Sequence, residues 1–289
     1  MTVKTKKLLA FLLLLTIIFS MTVVNAAGAG SSSSPAVYGN FRNVRSGKIG
    51  MDTLYRSQHP ANGSFRSKFA NELAQEYHIR TVLNLSDSDS SLNAYFRKNK
   101  ISSSYYYRTL YNSGRVYTAN LSQKHNSSSY RKKVANGLKF LAKNKGPYLI
   151  HCEVGRDRTG FVILLLECLM GSSYDAMLSD YAISYVNVNH YSQEKARQKA
   201  ISCLNEEFSY LTGKKRSTNW RQVDLTQHAM NYMIKGGMSY AEISALRKNL
   251  GRSDFISCIT LPNNQKYKFP ETGNAGFDLS PVLLTSPSF

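Results

Sequence analysis

The chain has 289 residues, 42% of them hydrophobic and 11% aromatic, which fits one globular domain with a real core and excludes a disordered polypeptide. Thirty-seven Lys and Arg against 18 Asp and Glu give a net charge of +19, or +16 without Lys4, Lys6 and Lys7, so the partner should be anionic: a phosphorylated substrate or an acidic membrane surface, with no specific nucleic acid expected. His59, His78, His125, His190 and His228 are scattered, and neither Cys-x2-Cys nor His-Glu-x-x-His occurs, so neither a metal site nor a cofactor is expected.

Residues 1–26 read as an export signal: Lys4, Lys6 and Lys7 form its basic start, Leu8 to Val24 its apolar stretch, and Val24-Asn25-Ala26 its cleavage site. An uncleaved membrane anchor is the alternative, and in both cases the rest of the chain is expected to be secreted or extracytoplasmic. Residues 27–36, rich in Gly and Ser, read as a linker, 37–251 as the folded domain, and 252–289, with four prolines, as an irregular tail.

Within the domain, Asn40–Val44 and Thr53–Ser57 read as short strands. Ser64–Tyr77 has helical apolar spacing, and Ile79–Ser86 is a β-branched strand that ends in the polar loop Asp87–Ser91. A second round follows, with Ser91–Lys100 as helix and Ser103–Tyr111, rich in tyrosine, as strand. A third has Ser128–Lys143 as helix and Tyr148–His151 as strand. Beyond Gly160 the pattern is helical, over Phe161–Met170, Tyr174–Tyr185, Gln193–Phe208, Gln227–Ile234 and Tyr240–Leu250. Strands alternating with helices predict an α/β fold with a largely parallel sheet flanked by helices, plus C-terminal helices. Ligands of such sheets bind beyond the carboxyl ends of the strands.

One stretch at such an end carries chemistry: "HCEVGRDRTG", from His151 to Gly160, between the last strand and a helix. The amides of Glu153, Val154, Gly155, Arg156, Asp157 and Arg158 can turn inward there, and the helix N-terminus can face whatever they enclose, which suits a tetrahedral dianion. The same field and Arg158 favour the thiolate of Cys152. Arg158, six residues on, offers a planar fork for two phosphoryl oxygens. Gly155 would let the backbone approach the phosphate, and Gly160 would allow tight packing at the helix start. Thr159 can set a hydroxyl beside the sulfur, and His151 can fix the loop from behind.

The stretch resembles the H-C-x(5)-R-[ST]-G phosphate loop of the protein tyrosine phosphatases. "NFRNV…LYRSQHP", "YHIRTVLNLSDSD" and "NYMIKGGMSYAEISALRKNLG" are similar to the bacterial branch that includes exported enzymes acting on phosphoproteins and phosphoinositides. The resemblance covers roughly Tyr38 to Gly251. It implies a tyrosine-phosphatase-like fold, a cysteinyl-phosphate intermediate, Cys152 as nucleophile, Arg158 as phosphate clamp and Thr159 as hydroxyl partner. The implied substrate is a phosphotyrosyl protein, with a phosphoinositide or inositol phosphate as the alternative, or else the chain is a non-catalytic phosphate-binding module.

Many relatives take their proton donor from the region before the phosphate loop, but Ser90 to His151 holds no Asp or Glu. Asp157 is therefore the expected general acid, assisted by Asp87. Asp89 and His125 are further candidates, and the Asp87–Ser91 turn can alternatively cap a helix starting near Ser91. Of the other cysteines, Cys168 falls on an apolar helix and is expected in the core, while Cys203 and Cys258 could form a disulfide.

Overall fold

Residues 34–123 and 126–251 are described by the computed structural model. The export signal, most of the linker, His125, Cys258 and the tail lie outside the described residues. The folded part starts earlier than expected: Ser34 caps a short helix, α1 (Pro35–Tyr38), by accepting a hydrogen bond from the Val37 amide, and Pro35 takes the first helical position.

Five strands form one sheet: β1 (Arg42–Asn43), β2 (Leu54–Ser57), β3 (Thr81–Asn84), β4 (Val116–Thr118) and β5 (Tyr148–His151). Their order is β1-β2-β5-β3-β4, with β1 antiparallel to β2 and every other pair parallel. The last strand in sequence therefore lies between the second and third. Ser57 and Asn84 both pair in register with His151, so three carboxyl ends meet where the chain leaves β5.

All residues of β2, β3 and β5 are buried, yet their side chains still alternate between two cores. Leu54, Leu83, Tyr148 and Ile150 face one core, built with α5 (Ser128–Lys143), α6 (Asp157–Leu169), α7 (Tyr174–Asn189), α8 (Gln193–Thr212), α9 (Leu225–Lys235) and α10 (Tyr240–Leu250). Tyr55, Val82 and Leu149 face the other, with α2 (Ser67–Glu76), α3 (Asp89–Lys98) and α4 (Tyr105–Asn112). Burying each such side chain contributes ~1.5–3 kcal/mol, so the sheet is fixed from both sides.

One expected strand is a helix. The tyrosines of Ser103–Tyr111 all lie in α4, because Tyr107 and Leu110, three residues apart, bury on one face and the Tyr107 amide donates to Asn71 Oδ1. The strand of that round is β4, a partly buried edge. Helix α3 begins at Asp89, two residues before the expected start, and Ser88 is its cap, in a reciprocal pair with Ser91. Among the described residues no helix is long and apolar enough to cross a membrane.

Candidate active site

The chain leaves β5 at His151 and enters α6 at Asp157, and between them Cys152 sits at the floor of the turn, only 2% exposed. Gly155 has φ +71, and a Cβ there would lie 2.2 Å from the Ser57 carbonyl oxygen. The seating of the loop on β2 therefore demands the glycine. A Cβ on Gly160 would meet the Tyr181 ring at 2.7 Å, which is the expected tight packing, of α6 against α7.

Beneath the loop runs a buried polar chain whose donor order follows from its ends. Nδ1 of His151 lies 3.2 Å from the Cys152 carbonyl, which can only accept, so Nδ1 carries the proton. Its Nε2 accepts from the Tyr107 hydroxyl at 2.8 Å, and Tyr107 accepts from Asn84 Nδ2 at 3.1 Å. The second hydrogen of that amide goes to Asp87 Oδ2 at 2.9 Å. Burial, reinforced by His59, pushes His151 well below the usual imidazole range, and burial pushes Tyr107 well above the usual phenol range, so both are neutral. His151 thus ties the Cys152 carbonyl to this chain.

Asp87 is buried, and its carboxylate also takes His59 Nε2 at 2.5 Å and the Ser91 hydroxyl at 3.1 Å. The Ala61 amide donates to His59 Nδ1 at 2.9 Å, which leaves the ring proton on Nε2, facing Asp87. Burial alone would raise the Asp87 carboxyl, but the hydrogen bonds of His59 and Asn84 outweigh it and bring it down to about 2. Asp87, expected to assist in proton donation, is thus placed as a fully engaged anion under the loop. Asp89 is exposed at the start of α3 and accepts from Thr118 and Tyr111.

Asp157 is exposed at the first position of α6. Arg156 grips both its oxygens, at 2.8 and 3.0 Å, donates to Asn189 Oδ1 and lies over the Tyr185 ring. Arg158 Nη1 donates to the Leu121 carbonyl at 3.2 Å. Burial raises the Tyr130 phenol on α5, and Cys152 and Arg158 lie near enough to act on it in opposite senses. Thr159 is buried, and among the described residues its hydroxyl has no hydrogen-bond partner, the Cys152 sulfur included. Glu153 accepts from Asn62 Nδ2 at 2.7 Å, and Val154 is partly buried beside it.

Several functional neighbours escaped the sequence: His59, Asn84, Tyr107, Tyr130, and a set behind the loop, Asn40, Arg42, Arg56 and Asp180. Asn40, Arg42, Arg56, His59 and Asn84 carried a signal only as members of "NFRNV", "LYRSQHP" and "YHIRTVLNLSDSD". Cys168 is in the core, as expected, with its sulfur 3.6 Å from Met177 Sδ, and Cys203 lies 3.0 Å from the Tyr185 hydroxyl.

Compared with known proteins, residues 38–252 match a family model described as the tyrosine phosphatase family. No curated protein matches the chain.

Proposed function

We propose a specific activity for this chain, which belongs to the tyrosine phosphatase family and is at that level a cysteine-dependent phosphatase: hydrolysis of phosphotyrosine in proteins through a cysteinyl-phosphate, outside the cytoplasm. The supporting observation is Cys152, nearly closed off at the floor of a loop whose carbonyls are hydrogen-bonded from behind. A long, narrow phosphotyrosyl side chain brings its phosphorus to such a floor, whereas a short phosphoseryl side chain leaves the peptide against the rim.

In the proposed mechanism the Cys152 sulfur attacks phosphorus, the bond to the tyrosyl oxygen breaks, and that oxygen takes a proton from Asp157. Water then attacks the cysteinyl-phosphate, gives a proton to Asp157, and the S–P bond breaks to release inorganic phosphate and the thiolate. Arg158 and the loop amides hold the equatorial oxygens throughout. Before it can donate, Asp157 must take up a proton, and Arg156 must release one of its two oxygens. Asp87 orients His59 and Asn84 and does not itself transfer a proton. No cofactor enters either step.

A second reading, hydrolysis of a phosphoinositide or inositol phosphate, is favoured by Arg156 at the rim and by the net charge of +19, which would also draw the protein to acidic membranes; Glu153 opposes it. A non-catalytic module is disfavoured because Cys152 and Arg158 are both present. The test is turnover of phosphotyrosyl peptides, phosphoseryl peptides, phosphoinositides and inositol hexakisphosphate by the wild-type protein and by Cys152→Ser. Phosphotyrosyl peptides should lead, and Cys152→Ser should turn over none of the panel. Residual turnover by Cys152→Ser would sink the mechanism, and a lead for an inositol phosphate would move the assignment to the second reading.

A further inference from the structure

Asn40 and Arg56 are completely buried, and both reach the back of the phosphate loop. Asn40 Nδ2 donates to the carbonyls of Val154 at 3.1 Å and Gly155 at 3.2 Å. Arg56 Nη2 donates to the carbonyl of Gly155 at 2.9 Å and, more weakly, to that of Arg156 at 3.4 Å. The His59 amide takes the Glu153 carbonyl at 3.1 Å. The carbonyls of Glu153, Val154 and Gly155 are thereby held from behind the loop, and that of Arg156 is set mainly by the Gly160 amide, which donates to it at 2.8 Å at the start of α6.

A peptide unit is planar and trans, so its N–H points away from its C=O. Holding the carbonyls of Glu153, Val154, Gly155 and Arg156 outward turns the amides of Val154, Gly155, Arg156 and Asp157 inward, towards the space above Cys152. Among the described residues nothing accepts from these four amides. They form an oxyanion site whose orientation is set from behind.

The holders are themselves held. Arg56 Nη1 bonds to Asp180 Oδ2 on α7, and Arg42 Nε donates to the other Asp180 oxygen at 2.8 Å. Arg42 Nη1 donates to Asn40 Oδ1 at 2.8 Å, and Asn187 Nδ2 donates to the same oxygen at 3.3 Å. Asn40 has φ +44, a conformation that Asn tolerates better than most residues. Taking two guanidinium groups and a carboxylate out of water costs more than their attraction returns unless each hydrogen bond is made, and apolar side chains would fill this space more cheaply. Stability alone does not call for such a cluster.

We infer that Asn40 and Arg56 are positioning residues for the reaction: through the loop carbonyls they preset the amides that receive the phosphoryl oxygens, and the buried Arg56 charge draws the carbonyl dipoles away from the incoming anion. The inference rests on the phosphatase reading of the site. A preformed site needs no reorganisation when the anion arrives, so the loss of a holder weakens oxyanion binding and slows turnover together.

The test is calorimetric binding of tungstate, a non-covalent phosphate analogue, to Cys152→Ser alone and combined with Asn40→Gly or Arg56→Lys. Glycine accepts φ +44 freely, so Asn40→Gly removes the amide and leaves the backbone. Lysine keeps the Arg56 charge and loses the fork. Tungstate affinity should fall about tenfold for Asn40→Gly, or ~1.4 kcal/mol, and several-fold for Arg56→Lys, with kcat falling in parallel when Cys152 is restored. A purely structural role would lower the melting temperature and leave affinity per folded molecule unchanged; that result in both variants would overturn the inference. Should Asn40→Gly not fold, Arg56→Lys decides alone on the same outcomes. Failure of Cys152→Ser itself to bind tungstate would overturn the phosphatase reading, and the inference with it.

Discussion

Glu167→Gln should stabilise the protein, and increasingly so as pH rises. Glu167 lies on α6, 1% exposed, where the Ser46 hydroxyl donates to it at 2.7 Å and the Ser172 hydroxyl backs Ser46 at 2.9 Å. Burial, and then the negative charge of Asp180, push its carboxyl from 4.5 up to about 8, against the pull of Ser46, Arg56 and Arg42. An acid whose folded value lies above its unfolded value binds its proton more tightly in the native state. The stability from that proton is complete below the unfolded value and is lost as pH rises through the folded one. Each pH unit between them removes ~1.36 kcal/mol, so at pH 7 the penalty is already about 3 kcal/mol. Glutamine cannot ionise and keeps an oxygen for Ser46. Urea unfolding of both proteins at pH 5, 6, 7 and 8 should give free energies that diverge from about 1 kcal/mol at pH 5 to about 3 kcal/mol at pH 7 in favour of the variant. Parallel pH profiles, or a variant that is less stable at pH 8, would refute the reasoning.

Two further outcomes follow from the site. Asp157→Asn should cut kcat on phosphopeptides by about 100-fold and on p-nitrophenyl phosphate only several-fold, because a good leaving group departs without a proton; equal losses in steady-state assays would make Asp157 structural. Gly155→Ala should lose tungstate binding and melt at a lower temperature. Its Cβ would lie 2.2 Å from the Ser57 oxygen on a strand fixed by pairing to β5, and φ +71 adds ~1–2 kcal/mol of strain for a residue with a side chain. Wild-type affinity and melting would contradict the seating of the loop on β2.

The parts of the fold legible in the sequence are those that local pattern specifies. Ser128–Lys143, Tyr148–His151 and Tyr240–Leu250 were bounded correctly because polar or glycine stops frame their apolar residues. The tyrosines before Asn112 misled because their preference for strands is weak and tertiary burial of Tyr107 and Leu110 overrides it. β4 has three partly buried residues, too few to show alternation. The phosphate loop was legible because its residues are contiguous. Its support was not: Asn40 and Arg56 lie about a hundred residues upstream, and pattern reasoning sends Arg, Asn and Asp to the surface.

The two aspartates near the loop show why residue type and proximity underdetermine a catalytic role. A proton donor needs an accessible oxygen and the freedom to hold a proton between steps. Asp87 has neither, since four side chains donate to it and its carboxyl is drawn down to about 2, so protonating it would break contacts with His59, Asn84 and Ser91. What it can do is impose direction: as a fixed acceptor it orients the Asn84 amide, which orients Tyr107, then His151, then the Cys152 carbonyl. Asp157 is exposed, and its single charged partner is the neighbouring Arg156. In the proposed mechanism the acid that moves a proton is therefore the one bound less firmly, and the buried acid keeps the nucleophile's peptide aligned while that proton moves.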